Sequence, residues 1–394
     1  MKEKEKVLVF IPYQDSDNFY SDGIMTREYA MLYLLWNAGY KEVINVKKPR
    51  TFLDKKRYKV NESLYPKGTI EHIIKIILDQ SITIQMLPLF NFKQLIAKRG
   101  WWVKEFDKYK RLFTLEADKE YLIYSDNPFA WRLIRHLHDV GCKVFFDVMD
   151  NFAIHPSLSE KERMAALDGY KNVFKCADII SANSQQTCEY MQQYVEKKII
   201  LVKNGVFPNN SADNPLSIEA VQHIRKEKKK YRNCVGYIGK LGLRLDADLI
   251  DSVSEKCPET LFVFVGGYLK GQINSKLLDL FVNRKNVVHI DAVPSAFVYP
   301  ILDEFDILSI PHSVGKNENG GDPLKLYQYL TRNKPIITTP ILGVDEFKDI
   351  ICISSSVNMW VDFINNSYSF ANDVPKGITW EDRMGLIMKK IQEI

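Results

Sequence analysis

The stretch Glu318–Thr339 reads ENGGDPLKLYQYLTRNKPIITT and joins a loop, a helix and a strand with no spare residues. Asp322 is placed to cap a helix, because its side chain can accept a free backbone N–H of the first turn. Pro323 follows at the first helical position, where a missing N–H costs nothing. Leu326, Tyr329 and Leu330 recur at helical spacing and mark an apolar stripe. Asn333 suits the left-handed position after a helix, Pro335 blocks continuation, and PIITT reads as a buried strand. The loop KNENGG just before delivers a helix N-terminus, whose free N–H groups attract anions. Lys325 adds a positive charge in the first turn, and Gln328, three residues on, shares its face. Two readings stand side by side. The helix start holds a phosphate, or it is a capped core helix with a solvated lysine.

The same punctuation extends outward from this stretch. KVLVFIP (6–12) precedes the helical GIMTREYAMLYLLWNAG (23–39). YLIYSD (121–126) precedes PFAWRLIRHLHDVG (128–141), then KVFFDVMD (143–150), ADIISANS (177–184) and KIILVKNG (198–205). VFPNNSADNP (206–215) is rich in Asn, Ser and Pro and reads as a linker. The pattern then restarts with CVGYIGKLG (234–242), DADLIDSVSEKC (246–257), TLFVFVGG (260–267), NVVHIDAV (286–293) and DILSIPH (306–312). Such βαβ alternation predicts parallel sheets covered on both faces. The reading is an α/β chain of two doubly wound, Rossmann-like domains, 1–205 and 206–375. An amphipathic helix in 376–394 is expected to pack back toward the first domain. Two such domains predict a cleft between the carboxyl ends of their sheets, where ligands of this architecture bind.

A chain of 394 residues accommodates two domains of this size. Its six cysteines are scattered with no CxxC spacing, which points to a reducing compartment and away from a disulfide frame or zinc site. VLVFIP near the start is too short for the apolar core of a signal peptide, and no run approaches the roughly 20 apolar residues that span a bilayer. The expected location is cytoplasmic. The net charge of +5 is uneven: Lys41–Arg111 holds 17 Lys/Arg against 7 Asp/Glu. Within it Trp101 and Trp102 adjoin Lys98 and Arg99, a pairing that suits an anionic membrane surface. The alternative is an amphipathic helix packed on its own domain. Nucleic acid is a weaker reading, since no nucleic-acid-binding motif accompanies the charge.

GYIGKLGLRLDADLI, FVFVGG, NVVHIDAVPSAFVYPILDEFDILSIPH and DPLKLYQYLTRNKPIITTP follow one another in an order and spacing that resembles the GT-B glycosyltransferases. The closest pattern resembles glycosyltransferase family 4, in its bacterial exopolysaccharide and teichuronic-acid branch, and the xanthan glucuronosyltransferase. The resemblance implies transfer of a sugar from a nucleoside diphosphate donor, UDP-linked by preference, to a lipid-linked or glycan acceptor of cell-surface polysaccharide synthesis. It implies no cofactor and no metal, the helix dipole and lysines standing in for one. Attachment would be peripheral, on the inner face of the plasma membrane. On the donor side it implies Lys240 and Arg244 near the diphosphate, Gly266 where the backbone lets the donor approach, and Glu318, Gly320 and Gly321 in the glycine loop. Lys325 becomes a phosphate contact and Gln328, where family members carry a second Glu, a ribose contact. Asp150 stands at the strand end where a His is common, and is placed to act as a base toward the acceptor; Glu318 is the other catalytic candidate. Asp246 and Asp248 imitate a metal-binding DxD but sit where a helix start favours acids. A nucleotide-sugar epimerase and a non-catalytic nucleotide- or glycan-binding module on the same scaffold are the rival functions.

Overall fold

The computed structural model describes residues 4–49, 61–86, 98–155, 158–210, 218–268, 271–315, 322–366 and 374–394. It divides into two compact units. The first comprises Met1–Tyr65, Ile70–Lys203 and Trp380–Ile394; the second comprises Pro66–Thr69 and Asn204–Thr379.

The first unit is built on a parallel sheet of β1 (Glu5–Ile11), β2 (Glu42–Val46), β3 (Ile82–Ile84), β4 (Lys119–Ser125), β5 (Lys143–Val148), β6 (Ile179–Ala182) and β7 (Ile200–Leu201). Their order is β3-β2-β1-β4-β5-β6-β7. Apolar runs such as Val7–Ile11 are buried along their whole length, as strands covered on both faces require. The second unit holds β8 (Asn233–Ile238), β9 (Thr260–Val265), β10 (Val287–Ile290), β11 (Ile307–Ile310), β12 (Ile336–Thr338) and β13 (Cys352–Ile353), ordered β10-β9-β8-β11-β12-β13. In each sheet the chain winds outward one way, then returns to wind the other. The reversal lies between β1 and β4 in one sheet and between β8 and β11 in the other, the places where α/β sheets bind ligands.

The terminal helix Trp380–Glu393 packs in the first unit, against the helix Arg27–Asn37 and β6. Trp380 is buried, and the Arg27 guanidinium lies 5.5 Å from its ring centroid. All six cysteines are free thiols. Among the described residues no helix is long and apolar enough to cross a membrane.

The tryptophan pair takes the packed alternative of the sequence reading, not the membrane-facing one. Trp101 and Trp102 are 2% and 5% exposed, and Trp102 stacks at a tilt on the buried Tyr109 with ring centroids 5.4 Å apart. The Trp102 indole joins the core cluster that includes β1 and β4 residues, and Trp101 is buried as well. Arg99 is not a free surface cation either. It donates to the Tyr13 hydroxyl at 2.9 Å and pairs with Glu162 at 2.5 Å. The side chain of Lys98 lies outside the described residues.

Candidate functional site

The helix that opened the sequence reading spans Leu324–Leu330. It starts one residue later than its cap signals predict, with Pro323 at the cap position and no side-chain cap. Asp322 does not cap it. Its carboxylate accepts from the Asn204 backbone N–H and the Tyr327 hydroxyl, tying the helix to the start of the second unit. Asn333 takes the left-handed conformation after the helix (φ 48°), and Ile336–Thr338 is a buried strand, both as the sequence predicts. Glu318, Gly320 and Gly321 lie outside the described residues.

Tyr329 docks this helix on the sheet, its hydroxyl accepting the Ile238 N–H at the end of β8 at 3.0 Å. One turn earlier on the same face stands Lys325. That register carries its ammonium inward, against the carboxyl ends of β8 and β11, and not into solvent as a polar-face lysine would go. Nζ lies 2.8 Å from the Tyr237 hydroxyl and 3.0 Å from His312 Nε2, and 4.4 Å from the Tyr237 ring centroid. His312 follows β11 directly and is held there by Thr339, whose hydroxyl donates to its carbonyl at 2.7 Å. Gly239, just past β8, closes the other side. A Cβ there would meet Lys325 Cε and Nζ at 3.0 Å each, and its φ of +141° disfavours any side chain.

Arg244 completes the group. Its carbonyl accepts from Ser313 N–H, its charge acts on the Tyr237 phenol, and its buried Nε has no hydrogen-bond partner among the described residues. Burial, and then the Arg244 charge, push the Lys325 pKa well below its ordinary value. Burial, Lys325 and Arg244 hold His312 neutral. Burial raises the Tyr237 phenol, with Arg244 opposing. No carboxylate pairs with Lys325 or Arg244 among the described residues. An amine and a guanidinium sharing a partly dry site with no carboxylate among the described residues are suited to receive an anion, which would offset the cost of charging both and satisfy the orphaned donor.

The other donor-side candidates separate from this group. Lys240 offers its carbonyl to the Tyr237 hydroxyl at 2.8 Å, but its ammonium is exposed and makes no hydrogen bond or ion pair among the described residues. Gly266 has its own reason to be glycine: a Cβ would stand 1.9 Å from the Gly239 carbonyl oxygen, at a φ of +151°. It lets the turns after β8 and β9 close on each other. Gln328 is half-buried, and its side-chain amide makes no hydrogen bond among the described residues. Asp246 caps the helix Ala247–Lys256 by accepting from Leu249 N–H, and Asp248 pairs with Lys276.

The first unit presents acids at its own switch point. Asp150 lies just past β5, and its carboxylate has no hydrogen-bond partner among the described residues. It is solvent-exposed although protein atoms crowd it. That crowding raises its pKa, with His155 opposing. Asp147, on β5 itself, is fully engaged: Arg27 binds it through two nitrogens at 2.7 and 3.1 Å, and Ser181 and Tyr124 donate to it. Two buried acids were not foreseen. Glu28 has both oxygens without a hydrogen-bond partner of good geometry, and Asp126 has one. Burial raises both, Glu28 to about 7, and each adds to a field that includes Asp147.

No protein-family description and no curated protein sequence matches the chain. Solved structures do match along its length. Anabaena HepE in complex with UDP and glucose aligns over 99% of this chain and 100% of its own, at 13% identity and a TM-score of 0.65. The N-terminal domain of Candida albicans trehalose-6-phosphate phosphatase aligns over 100% and 94%, at 11% identity and 0.60. A UDP-forming α,α-trehalose-phosphate synthase from Burkholderia vietnamiensis aligns over 99% and 95%, at 10% identity and 0.57. Two doubly wound parallel sheets and this likeness along the whole chain establish the fold: the protein is a two-unit α/β chain of the GT-B type.

Proposed function

We propose that the protein is a glycosyltransferase that takes a sugar from a nucleoside diphosphate donor, with UDP as the preferred carrier. The observation that carries this reading is the Lys325–Arg244 pair at the β8/β11 switch point, an amine and a guanidinium with no carboxylate to neutralise them among the described residues. A sugar leaving as its nucleotide carries off a diphosphate, whose growing charge such cations offset. HepE, of the same fold, was solved with UDP and glucose, which supports the choice of nucleotide. Lys325 and Arg244 are read as diphosphate contacts, Gln328 as a ribose contact and Lys240 as a mobile outer cation. No metal enters this scheme, since the two side chains supply the charge one would bring.

Asp150 is read as the base that takes the proton of the acceptor hydroxyl, with inversion at the transferred sugar carbon. Its raised pKa supports the role, because a base works best when its pKa nears the working pH. The acceptor is read as glycan or lipid-linked and its pathway as cell-surface polysaccharide synthesis. The support is the basic excess of residues 41–111 and the sequence resemblance. Attachment to an anionic bilayer would then rest on the lysines and not on Trp101 or Trp102. Sedimentation with acidic liposomes at low salt tests it, and absence of binding there removes the membrane from the scheme.

Calorimetric titration with UDP, run with a chelator present, tests the donor reading. Wild type should bind, and Lys325→Ala and Arg244→Ala should each weaken binding by about 1.5–3 kcal/mol, the range of a charge-assisted hydrogen bond. Undiminished affinity in both variants would remove these residues from the site. Binding that disappears with the chelator would end the metal-free scheme.

A further inference from the structure

The surroundings of Lys325 carry a consequence for how the donor enters, resting on the donor-site reading above. Every polar group that faces its Nζ is a neutral acceptor or a cation. Tyr237 contributes a hydroxyl from β8, His312 an imidazole nitrogen from the end of β11, and Arg244 a guanidinium from the loop after β8. Tyr329, on the same helix, spends its hydroxyl on Ile238 N–H. The backbone of Gly239 closes the remaining side. No carboxylate appears in this shell among the described residues.

Hydrogen-bond bookkeeping in the shell fits an uncharged amine. The Tyr237 hydroxyl lies 2.8 Å from the Lys240 carbonyl and 3.2 Å from His312 Nε2; its proton goes to the nearer carbonyl, leaving its oxygen to accept from Nζ. His312 is held neutral, and in the tautomer with its proton on Nδ1 its Nε2 accepts from the amine beside it. These two acceptors match the two N–H bonds of a neutral amine, and no carboxylate among the described residues calls for a third. Arg244 cannot shed its proton, so the repulsion between the two bases is relieved at Lys325. The strong downward push that burial and Arg244 exert on Lys325 agrees with this.

We propose that Lys325 is a proton-linked anion receptor, an uncharged amine in the free protein that takes up one proton from solvent as a nucleoside diphosphate binds. One N–H bond forms, on the Nζ lone pair, and that third N–H is offered to a phosphate oxygen. No other bond changes. Full positive charge is then present only together with the diphosphate. Tyr237 and His312 are positioning residues, which hold the amine without giving it a counter-charge. Linkage requires that affinity fall about tenfold per pH unit over the range in which the free protein has lost the proton and the complex keeps it.

The test is UDP titration at about pH 8 in two buffers of different ionisation enthalpy. The terminal phosphate is already ionised there, since its second pKa lies near 6. Wild type should take up about one proton per UDP bound. Lys325→Arg, which keeps its proton, should bind UDP with almost none. Wild-type heats that do not depend on the buffer overturn the proposal and leave the donor reading standing. Uptake that persists in Lys325→Arg moves the proton to His312 and also overturns it. No UDP binding by the wild-type chain defeats the donor reading itself, and this inference with it. The wild-type measurement stands alone if the variant does not fold.

Discussion

The Asp150 carboxylate stands just past β5 with its oxygens free of hydrogen bonds among the described residues, three positions after an aspartate with none to spare. Asp147 is committed to Arg27, Ser181 and Tyr124, so replacing it would strand a buried cation. Asp150 is free to exchange a proton. General-base loss costs about 10²–10⁴-fold in rate, so Asp150→Asn should lose transfer by that factor while UDP affinity stays at the wild-type level. NMR of the product settles the stereochemistry, and a retained anomeric configuration would sink the inverting assignment even if Asp150 proved essential. Sequence alone placed Asp150 at a strand end, because a run of apolar residues stops there. It also contained a signal about Lys325 that a cap-based reading passes over. Lys325 precedes Tyr329 by four, so the lysine belongs to the buried side of the helix and not to its solvated side. Its neighbours were out of reach of any local reading, since Tyr237, Arg244 and His312 come from two other strand ends.

Among the elements, the segment around Trp101 shows how a basic aromatic stretch misleads. Cations and indoles alternate in sequence, and the same pattern serves a membrane face or a packed one. Short helices at Trp101–Lys104 and Phe106–Tyr109 turn the indoles inward and leave Lys104 and Lys108 outside. Trp102→Ala should therefore cost about 3–5 kcal/mol of stability, the usual range for a buried aromatic. Urea unfolding showing a loss below about 1 kcal/mol would return the segment to the surface. The turns after β8 and β9 illustrate the opposite case. Gly266 was legible as a close-approach position, but what approaches it is the carbonyl of Gly239, a contact between segments far apart in the chain.

For the molecule as a whole, stability is coupled to pH through acids buried at the switch point of the first unit. Glu28 is fully buried and feels the charges of Asp126, Asp147 and Asp150, while the guanidinium of Arg27, its neighbour in sequence, is bound to Asp147. Its pKa is raised from 4.5 to about 7 in the folded chain, so the folded state holds the proton more tightly than the unfolded one. That contribution is fully present below about pH 4.5 and is lost as pH climbs through about 7, on the order of 3 kcal/mol in all. Glu28→Gln should flatten this slope, gaining stability over wild type on going from about pH 4.5 to about pH 8; identical urea midpoints for the two chains across that range would show that Glu28 does not titrate there. The sequence by itself determined the α/β class, the two doubly wound sheets and the strand following Asn333. Each of these follows from periodicity and turn chemistry, which are local. Tertiary structure alone decided which charges meet. It turned Lys325 toward Tyr237, His312 and Arg244, gave Asp322 to Asn204 and Tyr327, buried Glu28 beside Asp126, and folded Trp101 and Trp102 into the core. Burial and electrostatic field are sums over groups distant in the chain, and no window of sequence contains them.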